Sequence, residues 1–211
     1  GQTGLAEDLQ GAGPFTVFAP TNDAFSGVDL PQDPAELADI LQYHVVSGNI
    51  ASGDLTTPQT VEALAGGDLF VTAENGDIIV NNNATVTTPD VGASNGTIHV
   101  VNQVLLPNQY LDIVQIAQKD YNLTSLVTAL SNANLVSTLK GDGPFTVFAP
   151  TNAAFEEASS TIESLTESQV AEVLQYHAAA ANLLAGDLSD GQTITTVQGE
   201  DITVNIDGDG N

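Results

Sequence analysis

The sequence predicts an α+β chain built from two related modules in tandem. Three observations predict it. Gly13–Phe25 returns as Gly143–Phe155 with twelve of thirteen residues identical, at a shift of 130. Leu41-Gln42-Tyr43-His44 returns as Leu174-Gln175-Tyr176-His177, at a shift of 133. Inside each copy, short runs with strand period alternate with longer runs of helical period. A repeat this long is a whole domain, since solenoid units run about 20–50 residues.

Each copy opens on Gly-Pro followed by Phe-Thr-Val-Phe-Ala. Phe and Val alternate about a β-branched Thr, which reads as a short strand with one buried face. Pro20-Thr21-Asn22 ends it, and Thr21 or Asn22 can cap a helical turn that carries Phe25 inward. Asp33-Pro34-Ala35-Glu36 then sets a cap, a first-turn proline and an early acid in order. Leu37, Ile40, Leu41 and His44 follow at helical spacing. The second copy keeps the logic with different capping residues. Thr166-Glu167-Ser168-Gln169 is a capping box, and Val170, Val173, Leu174 and His177 continue the face. Leu69–Thr72 and Ile78–Val80 flank Asn75-Gly76, whose residues supply the positive φ of a tight hairpin. Thr97–Pro107 reads as a mostly apolar strand ended by proline. Tyr110–Lys119 and Leu123–Leu130 carry helix-period apolar residues.

The modules are expected at 1–107 and 110–211, with a short linker around Pro107–Gln109. Two complete copies of this repeat would need about 260 residues, against 211 present. Asn108–Leu130 has no counterpart in the first copy, and Val80–Pro107 has none in the second. The first module is therefore expected to lack leading helices and the second its closing strands, and the chain reads as a piece of a longer protein.

Asp and Glu total 27 against Lys119 and Lys140, for a formal net charge of −25. At molar salt the Debye length falls to about 3 Å and the self-repulsion of such a chain is screened. The composition therefore suits concentrated salt, as in a halophilic archaeon; an acidic extracellular protein of ordinary habitat is the alternative. Sequence-independent nucleic-acid binding is disfavoured, because too few cations exist to neutralise phosphates. Without cysteine there is no disulfide, thiol catalysis or thiolate metal site. No apolar run is long enough to span a membrane.

The histidines are His44, His99 and His177. His44 and His99 would meet within the first copy if their segments pack together, and with a carboxylate they would suit a transition metal. Structural histidines with satisfied nitrogens are the plainer expectation, so no metal ligand and no cofactor is nominated. Asp207-Gly208-Asp209-Gly210-Asn211 resembles the opening of a calcium loop. Asp207 aligns with Glu74 of the hairpin, which favours a turn. No phosphate-binding loop occurs, and no catalytic residue is nominated. Asn83, Asn95 and Asn122 head Asn-x-Ser/Thr sequons, acceptors only on exposed loops of a secreted chain.

Phe-Thr-Val-Phe-Ala-Pro-Thr-Asn-x-Ala-Phe, the later Tyr-His on a helix, and Asn95-Gly96-Thr97-Ile98-His99-Val100-Val101-Asn102-Gln103-Val104-Leu105-Leu106-Pro107 together resemble the fasciclin-type (FAS1) domain. The resemblance runs over nearly the whole chain, with the segments in the family's order. It implies tandem domains, each a β-sandwich or wedge-like sheet packed with several short helices. It also implies a non-catalytic, extracellular or cell-surface role in adhesion, through surface or matrix proteins or glycans and through self-association. In animal members the region of the Tyr-His pair is implicated in integrin binding, which makes Tyr43, His44, Tyr176 and His177 the interaction candidates. The plainer reading puts these side chains on the inner side of their helices. A small-ligand-binding or hydrolytic domain, with a pocket between strands and helices, is the alternative function.

Overall fold

The computed structural model describes residues 9–206. It divides into two compact units: residues 1–111 with 118–121, and residues 112–117 with 122–211. The calcium-like stretch Asp207–Asn211 lies outside the described residues.

The first unit is built on seven strands: β1 (Phe15–Pro20), β2 (Val45–Ser47), β3 (Gln59–Glu62), β4 (Asp68–Glu74), β5 (Asp77–Val80), β6 (Ala84–Ala93) and β7 (Gly96–Val101). They form one sheet in the order β2-β1-β7-β6-β5-β4-β3. β1 and β7 run parallel, Phe15 beside Gly96 through Pro20 beside Val101. The neighbouring pairs are antiparallel, and β6 carries register shifts on either side of Thr88. Such irregularities bend a strand, and here the sheet curls until its edge strands meet. Val46 bridges Ala63, and the Leu64 N–H donates to the Val45 carbonyl at 2.7 Å. The result is the wedge the resemblance implied. Its core is Phe18, Tyr43, Leu55, Leu69, Val71, Val80, Val101 and Leu105.

Local chemistry explains several elements. The β4–β5 turn places Asn75 at φ 54° and Gly76 at φ 93°, the left-handed pair a tight hairpin requires. Helix α1 (Pro34–Tyr43) starts where the Asp33 carboxylate accepts from Ala35 N at 2.8 Å and Glu36 N at 3.3 Å. Three expectations are corrected. The buried side of β1 is Thr16 and Phe18, while Phe15 and Val17 are half-buried. Phe25 is exposed, and its neighbour Ala24 fills the core position. The strand expected over Thr97–Pro107 leaves the sheet at Val101, because Asn102 turns back to exchange hydrogen bonds with Thr85; Val104 and Leu105 are buried beyond it.

After Leu111 come the helices α2 (Ile113–Lys119), α3 (Thr124–Asn132), α4 (Val136–Leu139), α5 (Asn152–Glu157), α6 (Ser159–Ile162) and α7 (Glu167–Tyr176). The second unit has short strands β8 (Thr146–Val147), β9 (Ala178–Ala179), β10 (Thr193–Thr195) and β11 (Asp201–Thr203). β8 pairs with β9, and β10 with β11, both antiparallel. Val197 N–H donates to the Ala178 carbonyl at 2.7 Å, repeating the Leu64–Val45 bond of the first unit. The capping box is present: Thr166 and Gln169 satisfy each other's backbone N–H. The core of this unit gathers Val114, Leu126, Leu130, Leu135, Leu139 and Leu174.

Candidate functional site at the Tyr-His pairs

Helical spacing puts Tyr43 and His44 at the end of α1, facing the sheet. His44 is 3% exposed. Its Nδ1 lies 2.7 Å from the Ile40 carbonyl, and its Nε2 accepts from the Leu105 N–H at 2.9 Å. A carbonyl on one side and an N–H on the other select the neutral ring protonated at Nδ1. A second proton at Nε2 would face the Leu105 N–H. Burial accordingly holds the His44 pKa below its ordinary 6.5, against the opposing pull of the Ile40 carbonyl.

Tyr43 is 1% exposed, and its hydroxyl donates to the Asp68 carbonyl at 2.5 Å. Lys119, in the segment 118–121 that belongs to this unit, donates to the same hydroxyl at 2.8 Å. The ammonium stands 5.2 Å from the Tyr43 ring centroid and 5.8 Å from that of Phe70, a two-ring cation–π seat. Lys119 is 5% exposed. Its pKa is lowered, first by burial, with Asp68 and Asp120 opposing. Burial pushes the Tyr43 phenol up to about 12, with Asn81 opposing and Asp68 assisting.

His99 is also buried, and its Nε2 meets the Ile50 carbonyl at 2.9 Å. Its Nδ1 accepts from Asp90 N at 3.3 Å, and its ring packs on Phe18 at 5.5 Å. The Asp90 carboxylate accepts from the backbone and hydroxyl of Ser52, which hold its pKa below the ordinary value. Ser52, Asp90 and His99 thus sit together without a serine–histidine bond, so the histidine is not placed to activate the hydroxyl. No group of three or more potential metal ligands occurs among the described residues.

The second unit repeats the pattern with more solvent. His177 Nδ1 lies 2.8 Å from the Val173 carbonyl, and Phe148 N donates to the His177 carbonyl at 2.8 Å. The Tyr176 hydroxyl donates to the Asp201 carbonyl at 3.2 Å. Tyr176 is 37% exposed. Of the four interaction candidates, the structure therefore buries Tyr43 and His44 and leaves Tyr176 and His177 partly open. A groove of about 270 Å³ runs beside α7, lined by Pro150, Ala154, Phe155, Ile162, Val173 and His177 among others. Among the described residues, His177 is the one titratable side chain lining it.

Among the sequons, Asn83 is exposed in the turn between β5 and β6. Asn95 is half-buried, and its amide nitrogen already donates to the carbonyls of Leu9, at 2.7 Å, and Gly11, at 3.2 Å. Asn122 is exposed before α3.

Lys119 and Thr16 are structural centres the sequence reading passed over. Thr16 Oγ1 donates to the Gly48 carbonyl at 2.8 Å and accepts from Ile50 N at 2.9 Å. Thr146 does the same with the Ala181 carbonyl at 2.7 Å and Leu183 N at 2.9 Å. The signal for Thr16 was present, since it stands inside the repeated phrase. Lys119 had none beyond being one of two cations; the other, Lys140, forms a surface pair with Asp112 at 3.5 Å.

The chain resembles known proteins along nearly all its length. It is 28% identical to human periostin over 208 residues, covering 95% of this chain and 24% of periostin. It is 46% identical to protein sll1483 of Synechocystis sp. over 111 residues, covering 49% of this chain and 61% of that protein. It thus spans only part of the length of either relative. Its fold matches the FAS1 domain pair from the insect cell adhesion molecule Fasciclin I with a TM-score of 0.69, covering 96% of this chain and 79% of that one at 17% identity. The Fasciclin domain family model matches residues 1–107 and again 121–211. With both copies of the repeat matched, the chain belongs to the fasciclin domain family.

Proposed function

We propose that the chain is a non-catalytic, extracellular or cell-surface interaction module that contacts surface or matrix proteins or glycans and associates with further copies of itself. The observation that carries this reading is membership of the fasciclin family in both units. The fold it shares with a domain pair from an insect cell adhesion molecule supports it. So does the chemistry of the buried polar groups of the first unit. Tyr43, His44 and His99 direct their hydrogen bonds to the module's own backbone, which fits a scaffold role. Contact then falls to exposed surfaces, namely the outer faces of α1 and α7, the open pair Tyr176 and His177, and the loops between strands. Two linked modules bind by avidity, because the second contact forms at raised effective concentration.

The charge of −25 adds a habitat to the proposal: a salt-adapted organism, in whose medium the repulsion is screened. On a secreted chain Asn83 is the proposed glycan acceptor, exposed at a turn, whereas a glycan on Asn95 would displace two hydrogen bonds.

The test is light scattering and circular dichroism on the full-length protein from dilute buffer to several molar salt, followed by binding to immobilised matrix proteins and glycans. Reversible association or matrix binding of the folded protein is expected. A folded monomer at every salt that retains no matrix protein or glycan overturns the reading.

A further inference from the structure

Lys119 is one of two cations in a chain with 27 acidic residues, yet it is buried. The other, Lys140, meets Asp112 at the surface. A buried ammonium is costly unless its protons and its charge are met. Here they are met by groups of α1 and β4 rather than by the segment that carries the lysine. Nζ donates to the Tyr43 hydroxyl at 2.8 Å and to the Asp68 carbonyl at 3.4 Å. It also faces the Tyr43 and Phe70 rings. The charges of Asp68 and Asp120 favour the cation.

The walls of this seat are fixed by bonds that do not involve Lys119. Leu69 and Val71 point into the core, so Phe70 between them lies on the other side of β4. Asn81 holds Phe70 by both backbone groups. Its side-chain oxygen accepts from Phe70 N at 2.9 Å, and its own N–H donates to the Phe70 carbonyl at 2.6 Å. The Tyr43 hydroxyl is anchored on the Asp68 carbonyl. The segment 118–121 is fastened on either side of its lysine. Asn82 Nδ2 donates to the Gln118 carbonyl at 3.1 Å, and the Tyr121 ring meets Phe70 edge to face at 5.9 Å. All of these residues belong to the first unit.

We propose that the Tyr43–Phe70 seat is a binding site for a primary alkylammonium, the side chain of a lysine, and that residues 118–121 are a strap that fills it from the same chain. When the strap lifts, a lysine of a partner protein takes the seat. The chemistry of the occupant is that of the one already there. A phenol oxygen and a carbonyl accept two of the ammonium protons, and two ring faces attract the charge without needing a donor. A guanidinium would bring five donors to the same two acceptors, so the seat selects lysine over arginine. The acidic body draws a cationic partner towards it. The strap sets the affinity, because a competing amine meets only the fraction of molecules whose seat is vacant. The inference goes beyond the adhesion reading and does not depend on it, since it concerns one site and one ligand chemistry.

Lys119→Ala removes the atoms beyond Cβ, and n-propylammonium replaces them. The amine is titrated into this variant in molar salt, which screens diffuse attraction to the acidic surface. A saturable rise in Tm is expected, because a ligand of the native state stabilises it by mass action. n-Propanol should raise Tm far less, and adding Phe70→Leu should weaken the response to the amine. The parent chain should bind the amine at least about tenfold more weakly than Lys119→Ala, since its seat is filled. No rise in Tm at tens of millimolar amine overturns the proposal. So does an equal response to propanol, which would make the seat merely apolar, or equal binding by the parent, which would put the amine elsewhere. Lys119→Cys covers a variant that folds poorly. The chain has no other cysteine, so the thiol is alkylated in the unfolded state with 2-bromoethylamine or with 1-bromopropane and the protein is refolded. The aminoethyl product should recover more of the parent Tm than the propyl product, and the reverse or an equal recovery overturns the ammonium preference.

Discussion

Thr16 joins two distant points of the chain through one oxygen, and it is fully buried. Thr16→Val keeps the shape but leaves the Gly48 carbonyl and the Ile50 N–H unpaired. We expect a loss of about 1–3 kcal/mol in urea unfolding, with Thr16→Ser losing less. His44 sets a pH dependence whose sign follows from its lowered pKa. As pH falls below about 6.5, the unfolded chain takes up a proton that the native ring resists, so stability declines from there down to the lowered native pKa. The slope should appear above the carboxylate range and be reduced in His44→Gln. Lys119 is held by the Tyr43 hydroxyl and two aromatic faces. Lys119→Ala removes cation, hydrogen bond and packing together, and about 1–3 kcal/mol of stability should go with them. An unchanged urea midpoint would mean that the ammonium's own desolvation cancels what it contributes.

Helices α1 and α7 reach the same face through different caps, Asp33 in one and the Thr166–Gln169 box in the other. Asp33→Ala and Thr166→Ala should each cost about 1 kcal/mol by chemical denaturation. The strands depend on closer tolerances. A Cβ at Gly96 would run into the Phe15 carbonyl across the parallel β1–β7 pair, so Gly96→Ala forces those strands apart. Its expected outcome is loss of protection from amide exchange along β1 and β7, with the β4–β5 hairpin retaining its own.

The whole chain carries a charge of −25, with one cation buried and one at the surface. Repulsion at that density opposes every compact state and is screened as the Debye length shrinks from about 10 Å at 0.1 M to about 3 Å at 1 M salt. Tm should therefore rise with sodium chloride and respond much less to an uncharged solute at equal osmolarity. A Tm indifferent to salt would show that the acidic residues lie too far apart to strain the fold. The two cores, one around Phe18 and Tyr43 and the other around Leu126 and Leu174, are separate clusters, so each unit has a means of stability of its own.

By itself the sequence determined that a module is used twice, that Asn75-Gly76 makes a hairpin, and that two capped helices end on Tyr-His. Each of these is local, written in turn residues, caps and a repeat of helical period. The tertiary structure alone decided what those residues do. It buried Thr16 and Phe18 rather than Phe15, ended the β7 strand at Val101, and drew Lys119 over two aromatic rings. It also gave one Tyr-His phrase two environments, sealed in the first unit and open in the second. The physical reason is that burial belongs to a residue and whatever covers it. The cover of His44 is Leu105, 61 residues away along the chain, at a distance no local pattern encodes.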